Sequence, residues 1–435
     1  MEWKKEYTEK LMSPAQAAKL IRSGDRVYLG TASSIAYKMA EAIWDRRHEL
    51  ENVEIQSSNG YEASPLYDEY EDNPFSYNTY FLGVNERKPH RKGLPVKYNS
   101  VHLSQVDIWA KQNARPDVAI LEVSPADENG YMALGPSGTA VGCDIISVAK
   151  TIILEVNKKI PYIYGQDTLV HISQAAAVVE VDRALLPYET QDPDDISKQL
   201  SKYILDEVPD GATIQLGLGN ISTAIGYGLK EKNDLGIHTE LFNQPMLELI
   251  KNGNVTNKCK GFMDGKTVYS FCYGNEELYS YLDKNPDFYC VPFTYANDPR
   301  IIAQNKKMIS INTTMSFDLY GQAASDCLAW KQQSATGGQV DFVRGAQWSE
   351  GGKSFIATTS SFIKDGKRVS RIVPCFAPGS VVTTTRSDIQ YVATEYGCVN
   401  LKPLCMADRA RAMISLAHPD FRELLTDEAK KYGII

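Results

Sequence analysis

The sequence predicts an α/β protein built from two related open α/β domains in tandem, and three observations carry that expectation. An internal repeat divides the chain. Residues 23–30 read Ser-Gly-Asp-Arg-Val-Tyr-Leu-Gly and residues 210–217 read Asp-Gly-Ala-Thr-Ile-Gln-Leu-Gly, which sets Gly24 and Gly211 187 residues apart. The stretches just C-terminal to the two segments also match, at an offset of 186. Residues 35–43 and 221–229 carry apolar side chains at helical spacing after a loop of small residues. Each half therefore opens as strand, glycine loop and helix, the start of an α/β unit with a parallel sheet. The third observation is a set of short β-branched runs suited to strands buried on both faces: 118–123 and 151–156 in the first half, 307–312, 354–357 and 391–394 in the second.

Between the halves, residues 187–195 (Pro-Tyr-Glu-Thr-Gln-Asp-Pro-Asp-Asp) read as a linker, with Asp194 or Asp195 as N-cap of a helix through Leu205. A boundary near residue 190 gives domains 1–190 and 191–435. The 435-residue length accommodates two or three domains at about 100–200 residues each. Apolar residues make up 43% and charged residues 23%, which excludes long disorder. A net charge of −8 argues against a dedicated nucleic-acid binder. No apolar run is long enough to span a membrane, and the N-terminus lacks the apolar core of a secretory signal. Eight dilute cysteines without a C-x-x-C pair fit a reduced, cytoplasmic protein.

Four segments hold candidate chemistry. Gly217-Leu218-Gly219-Asn220 lies between strand and helix, where N–H groups can hold an anion or a developing oxyanion. It is not a dinucleotide fingerprint, because Ser222 stands where a third glycine is needed. A tight strand-to-helix turn accounts for it equally well. His238-Thr239-Glu240 ends a short strand, the position where α/β sheets place ligands, although an isolated glutamate is more often a solvated charge. The pairs Gly337-Gly338 and Gly351-Gly352 read by themselves as hairpin turns. Glu395, in Thr394-Glu395-Tyr396-Gly397, equally suits a pairing with Lys402. Six histidines without a G-x-S-x-G elbow give a Ser-His-Asp hydrolase no support.

Taken together, segments 217–220, 236–240, 337–342, 391–397 and 417–421 resemble the family I coenzyme A transferases, in the acetyl-CoA hydrolase/transferase branch, over essentially the whole chain. The pattern is similar to that of 4-hydroxybutyrate and butyryl-CoA:acetate CoA-transferases. The resemblance implies two α/β halves with the active site at their interface. It also implies a glutamate, here Glu240, that attacks an acyl-CoA thioester and passes through an acyl anhydride and a glutamyl-CoA thioester. The family's glycine loop falls on Gly217, Leu218, Gly219, Asn220 and Ile221, and its paired glycines on Gly337 and Gly338, all expected at CoA or the oxyanion. Asn312 resembles the family's asparagine near the nucleophile, and Gly397 and Lys402 match a segment lining the CoA channel.

The same resemblance implies no permanently bound cofactor and no metal, with coenzyme A a substrate held transiently on Glu240. Its expected partners are an acyl-CoA and a small carboxylate, in a homodimer or homotetramer. Two prolines depart from the family pattern: Pro245, beside the nucleophile segment, and Pro403, after Lys402. The tyrosines at 67, 70, 77 and 80 fall in the half expected to shape the acyl pocket. The rival readings are an acyl-CoA hydrolase on the same scaffold and a non-catalytic CoA-binding regulatory protein.

Overall fold

The computed structural model describes residues 2–188 and 192–435. The boundary expected near residue 190, with part of the expected linker, lies outside the described residues. The chain forms two compact units, Met1–Glu189 with Val268–Ala296, and Thr190–Thr267 with Asn297–Ile435. Val268–Ala296 thus leaves its neighbours in sequence and packs into the first unit. Among the described residues no helix is long and apolar enough to cross a membrane.

The first unit is built on strands β1 (Arg26–Thr31), β2 (Ser34–Ile35), β3 (Glu54–Ser58), β4 (Ser76–Thr79), β5 (Val96–Tyr98), β6 (Val118–Val123), β7 (Thr151–Asn157) and β8 (Ala177–Val181). They pair in the order β8-β7-β6-β1-β3-β4-β5, parallel throughout, with β2 folded back antiparallel on β1. Helix α1 (Tyr37–Asp45) covers one face. Its Met39, Ile43 and Trp44 pack with Val27, Leu29, Ile55, Ile120 and Ile153 in one buried cluster. Tyr67 and Tyr77 belong to this core, their rings 5.9 Å apart, so these two tyrosines fill the interior rather than line a pocket.

The second unit has strands β9 (Thr213–Leu216), β10 (Gly236–Ile237), β11 (Met308–Thr313), β12 (Lys353–Ala357), β13 (Tyr391–Thr394) and β14 (Gly397–Asn400) in the order β10-β9-β11-β12-β13-β14. All neighbours run parallel except the hairpin β13-β14. Helix α2 (Asp195–Leu205) starts at Asp194, whose carboxylate accepts from the Ser197 N–H at 2.7 Å. Helix α3 (Asn220–Gly228) comes directly after the glycine loop, and α4 (Gln244–Lys251) and α5 (Gln339–Trp348) lie further on.

The pairs Gly337-Gly338 and Gly351-Gly352 are not two hairpin turns. The ten residues of α5 stand between them, with Gly338 at the N-cap. Val340, Val343 and Ala346 recur at helical spacing and are buried, and that periodicity outweighs the glycine signal.

Both units keep the strand–glycine loop–helix opening, with different loops. After β1 the chain doubles back as β2, and a Cβ at Gly30 (φ +124°) would stand 2.1 Å from the Ser34 carbonyl oxygen. After β9 the loop stays open. At Gly219 (φ +107°) an added Cβ meets no described atom within 4 Å.

Candidate active site

Glu240 sits where the two-residue strand β10 ends, at the edge of the second sheet. The strand pairs parallel with β9 through Thr213–Gly236 and Ile214–Ile237, so Glu240 emerges at the C-terminal end of a parallel strand. Its Oε2 accepts a 2.7 Å hydrogen bond from Asn297 Nδ2. Asn297 is fully buried, and its Oδ1 has no hydrogen-bond partner among the described residues. The turn immediately after Asn297 sets its position. Asp298 accepts from the Arg300 N–H at 2.8 Å, and Pro299 fixes φ at the first helical position of Pro299–Ile302.

The start of α5 lies against the same carboxylate oxygen. A Cβ at Gly338 would lie 1.8 Å from Glu240 Oε2 and 2.0 Å from Asn297 Nδ2, so only glycine fits. Gly337 has a separate requirement, a left-handed φ of +61°. The N-terminus of a ten-residue helix thus begins against the glutamate, where its field favours negative charge. Glu240 is half-buried. Loss of water around its carboxyl raises its pKa to about 7, the Asn297 hydrogen bond pulls it back down, and the Asp341 charge adds to the rise. A carboxylate with that pKa is more basic than an ordinary glutamate and still ionised in part at neutrality. It combines better nucleophilicity with an available anion.

The glycine loop is a second feature of the same unit. The Gly217 N–H donates to the Ile311 carbonyl at 2.9 Å, and Gly219 is the N-cap of α3 without any side-chain cap, leaving first-turn N–H groups for a ligand. Leu218 is 36% exposed, Asn220 is exposed, and Ile221, in the first turn of α3, is buried. Asn312 lies beneath this loop. Its side-chain amide pairs with that of Gln215 in both directions at 3.3 Å, and a Cβ at Gly217 would stand 3.6 Å from Asn312 Oδ1.

The amide that reaches Glu240 is therefore that of Asn297, which the sequence reading did not single out. The available signal was Asn297-Asp298-Pro299, a cap-and-proline turn that fixes the residue ahead of it.

Gly397 begins β14 opposite Thr394, at φ +150°. Lys402 donates to the Ser387 carbonyl and does not pair with Glu395. The Glu395 carboxylate turns inward, where it accepts from the Ser360 N–H at 2.8 Å and from the Ser360 hydroxyl, because a buried carboxylate needs fixed donors. Pro245 stands in the first turn of α4, which Asn243 caps through the Met246 N–H at 3.3 Å. It packs on α3, where a Cβ at Gly226 would meet it at 2.7 Å.

The acetyl-CoA hydrolase/transferase N-terminal domain family matches residues 1–191, and the corresponding C-terminal domain family matches residues 274–429. The chain is 35% identical to the butyryl-CoA:acetate CoA-transferase of Anaerostipes caccae, over 100% of this chain and 99% of that protein. It is 37% identical to the succinyl-CoA:cyclohexane-1-carboxylate CoA transferase of Geobacter metallireducens, over 100% and 98%. The crystal structure of RipA from Yersinia pestis superposes with a TM-score of 0.92 at 36% identity, covering 100% of both chains. The paired parallel-sheet units and full-length likeness agree: the chain belongs to the acetyl-CoA hydrolase/transferase family.

Proposed function

We propose that the protein transfers coenzyme A between a short-chain acyl-CoA and a carboxylate such as acetate, with Glu240 as the nucleophile. The observation that carries this reading is the carboxylate held against Asn297 and the Gly338 end of α5, its basicity raised by burial. Relatives that match this chain from end to end are named CoA-transferases, for donors as different as butyryl-CoA and succinyl-CoA.

In this scheme a Glu240 oxygen adds to the thioester carbonyl, and the tetrahedral oxyanion collapses with cleavage of the C–S bond. CoA leaves as thiolate and the acyl group is held as a mixed anhydride. The thiolate then adds to the glutamyl carbonyl and expels the acyl carboxylate, leaving a glutamyl-CoA thioester. The acceptor carboxylate attacks that thioester and releases the thiolate. A last thiolate attack on the new acyl carbonyl forms the product and frees Glu240. Each intermediate keeps the thioester's free energy, which hydrolysis would lose. Gly217, Gly219 and Gly338 are the proposed contacts to CoA and the oxyanion, through backbone N–H groups that need no reorganisation as charge develops.

Borohydride reduction after incubation with butyryl-CoA, followed by peptide mass mapping, tests the assignment. The reduced residue is expected at Glu240, and Glu240→Ala is expected to lose transfer by about a thousandfold or more. A modified residue elsewhere overturns the reading. Thioester loss that needs no added carboxylate would mark a hydrolase instead.

A further inference from the structure

The strand that leads to Glu240 is an edge strand two residues long, with β9 on one side only. An edge of that kind leaves one row of backbone groups without a ladder partner. At Leu235 backbone from residues 254–257 meets this row, the Leu235 N–H donating to the Asn254 carbonyl at 2.8 Å and its carbonyl accepting from the Thr256 N–H at 2.9 Å, and at Ile237 side chains fill it. The Ile237 N–H donates to Asn257 Oδ1 at 2.8 Å, and the Ile237 carbonyl accepts from Lys260 Nζ at 3.0 Å. Asn257 is itself fixed, its Nδ2 donating to Thr267 Oγ1 at 2.9 Å. Lys260 donates a second time, to the Lys266 carbonyl at 2.6 Å. The Lys260 stem lies directly over the strand, and a Cβ at Gly236 would stand 2.3 Å from its Cγ.

Lys260 is 0% exposed, an extreme position for a lysine outside a buried ion pair. Burial lowers its pKa to about 7, which the nearby Asp264 charge only partly opposes. Both the amine and the ammonium have enough N–H groups for the two carbonyls, so the clamp is available in either state. Neither of the two carbonyls requires a buried cation. An apolar side chain of similar length would fill the volume without the desolvation cost, and it would leave the Ile237 carbonyl unpartnered.

We infer that Lys260 and Asn257 form a side-chain clamp that takes over at Ile237, where the backbone bridge at Leu235 ends, and so positions Glu240 three residues on. The inference rests on Glu240 being the nucleophile. Lys260 is a positioning residue that acts through the backbone. The clamp sets the height of the carboxylate against Asn297 and the start of α5, where a displacement of about 1 Å costs on the order of a hundredfold in rate.

The test uses the full-length Lys260→Met protein, which keeps the stem and loses the donor. Rapid quench with butyryl-CoA, followed by mass mapping, reads the rate of adduct formation on Glu240, while equilibrium titration reads CoA affinity. The expected result is a folded protein with CoA affinity within about twofold of wild type and adduct formation slowed about tenfold to a hundredfold. In steady state, kcat falls and the KM for the acyl-CoA stays put. Asn257→Ser, which cuts the other arm and keeps the lysine, is expected to show the same split and carries the test should Lys260→Met not fold. An unchanged adduct rate in a folded variant overturns the clamp, as does a loss of CoA affinity in proportion to rate. An adduct on a residue other than Glu240 in the wild-type protein removes the Glu240 reading and the clamp with it. The two failures are read in different proteins.

Discussion

Gly338 and Glu240 stand so close that a Cβ on the first would lie 1.8 Å from Oε2 of the second. The absent side chain is what lets the end of a helix meet the carboxylate. Gly338→Ala is expected to displace Glu240 or to move the start of α5, and either shift breaks the alignment with Asn297. Transfer should fall about a hundredfold or more, measured as kcat with saturating acyl-CoA.

The Glu240 pKa of about 7 predicts the pH profile. In the proposed transfer the attacking form of Glu240 is the carboxylate, so kcat/KM should rise with pH through about 7 and level off above it. The Asn297 hydrogen bond lowers that pKa. Asn297→Ala should therefore move the acid limb to higher pH as well as reduce the plateau. Asp341→Asn, which removes a charge that raises the pKa, should move the limb to lower pH. An unmoved limb in both variants would assign the titration to another group.

The two glycines of the loop after β9 are expected to respond differently to alanine. Gly219, at φ +107° and ψ 171°, occupies backbone space that is essentially glycine-only. Gly219→Ala should lower thermal stability by about 1–3 kcal/mol. At Gly217 a Cβ finds ordinary contacts of 3.5 Å and longer, so Gly217→Ala should keep the wild-type melting temperature. That methyl faces the Ile311 carbonyl and Asn312 Oδ1 beneath the loop, so an acyl-CoA KM within about twofold of wild type is the expected signature.

Glu122 and Glu155 sit opposite each other on the neighbouring strands β6 and β7, buried at 1% and 0% exposure. Glu122 Oε1 accepts from Asn157 Nδ2 at 2.9 Å and Arg183 Nη2 at 2.7 Å, and Arg183 also pairs with Glu62 at 2.6 Å. Glu155 Oε2 accepts from the Met39 N–H at 2.8 Å. One guanidinium does not neutralise three carboxylates. Burial raises both carboxyl pKa values, and for Glu155 the Glu122 charge adds to the rise. Groups whose folded pKa lies above the unfolded value stabilise fully at pH below the unfolded pKa and lose that contribution as pH rises. The melting temperature should fall from mildly acidic to alkaline pH. Glu155→Gln, which copies the protonated form, should flatten that fall, as differential scanning calorimetry at several pH values would show.

Much of this arrangement is legible in the amino-acid order. Val118–Val123 and Tyr391–Thr394 are β-branched runs bounded by turn residues, and both are strands. Asp194 or Asp195 reads as a cap, and Asp194 is the one that caps. The glycine loop at Gly217 reads as a strand-to-helix turn because its own φ/ψ demands write the signal. The reading failed where partners are distant in sequence. The two Gly-Gly pairs suggested hairpins because a local turn signal does not show that a helix separates them. Asn297 went unnoticed because nothing near it in sequence mentions Glu240, 57 positions away.

By itself the sequence determined the fold class, the strand–loop–helix repeat and the placing of Glu240 at a strand end, since these arise from local periodicity and backbone sterics. The tertiary structure decided which atoms meet. It brought Asn297 and Gly338 against one carboxylate, sent Glu395 to Ser360 instead of Lys402, and moved Val268–Ala296 into the first unit. The physical reason is that a shifted pKa or a shape that admits only glycine arises from desolvation and contact between remote segments. Those terms come into being only when the chain packs.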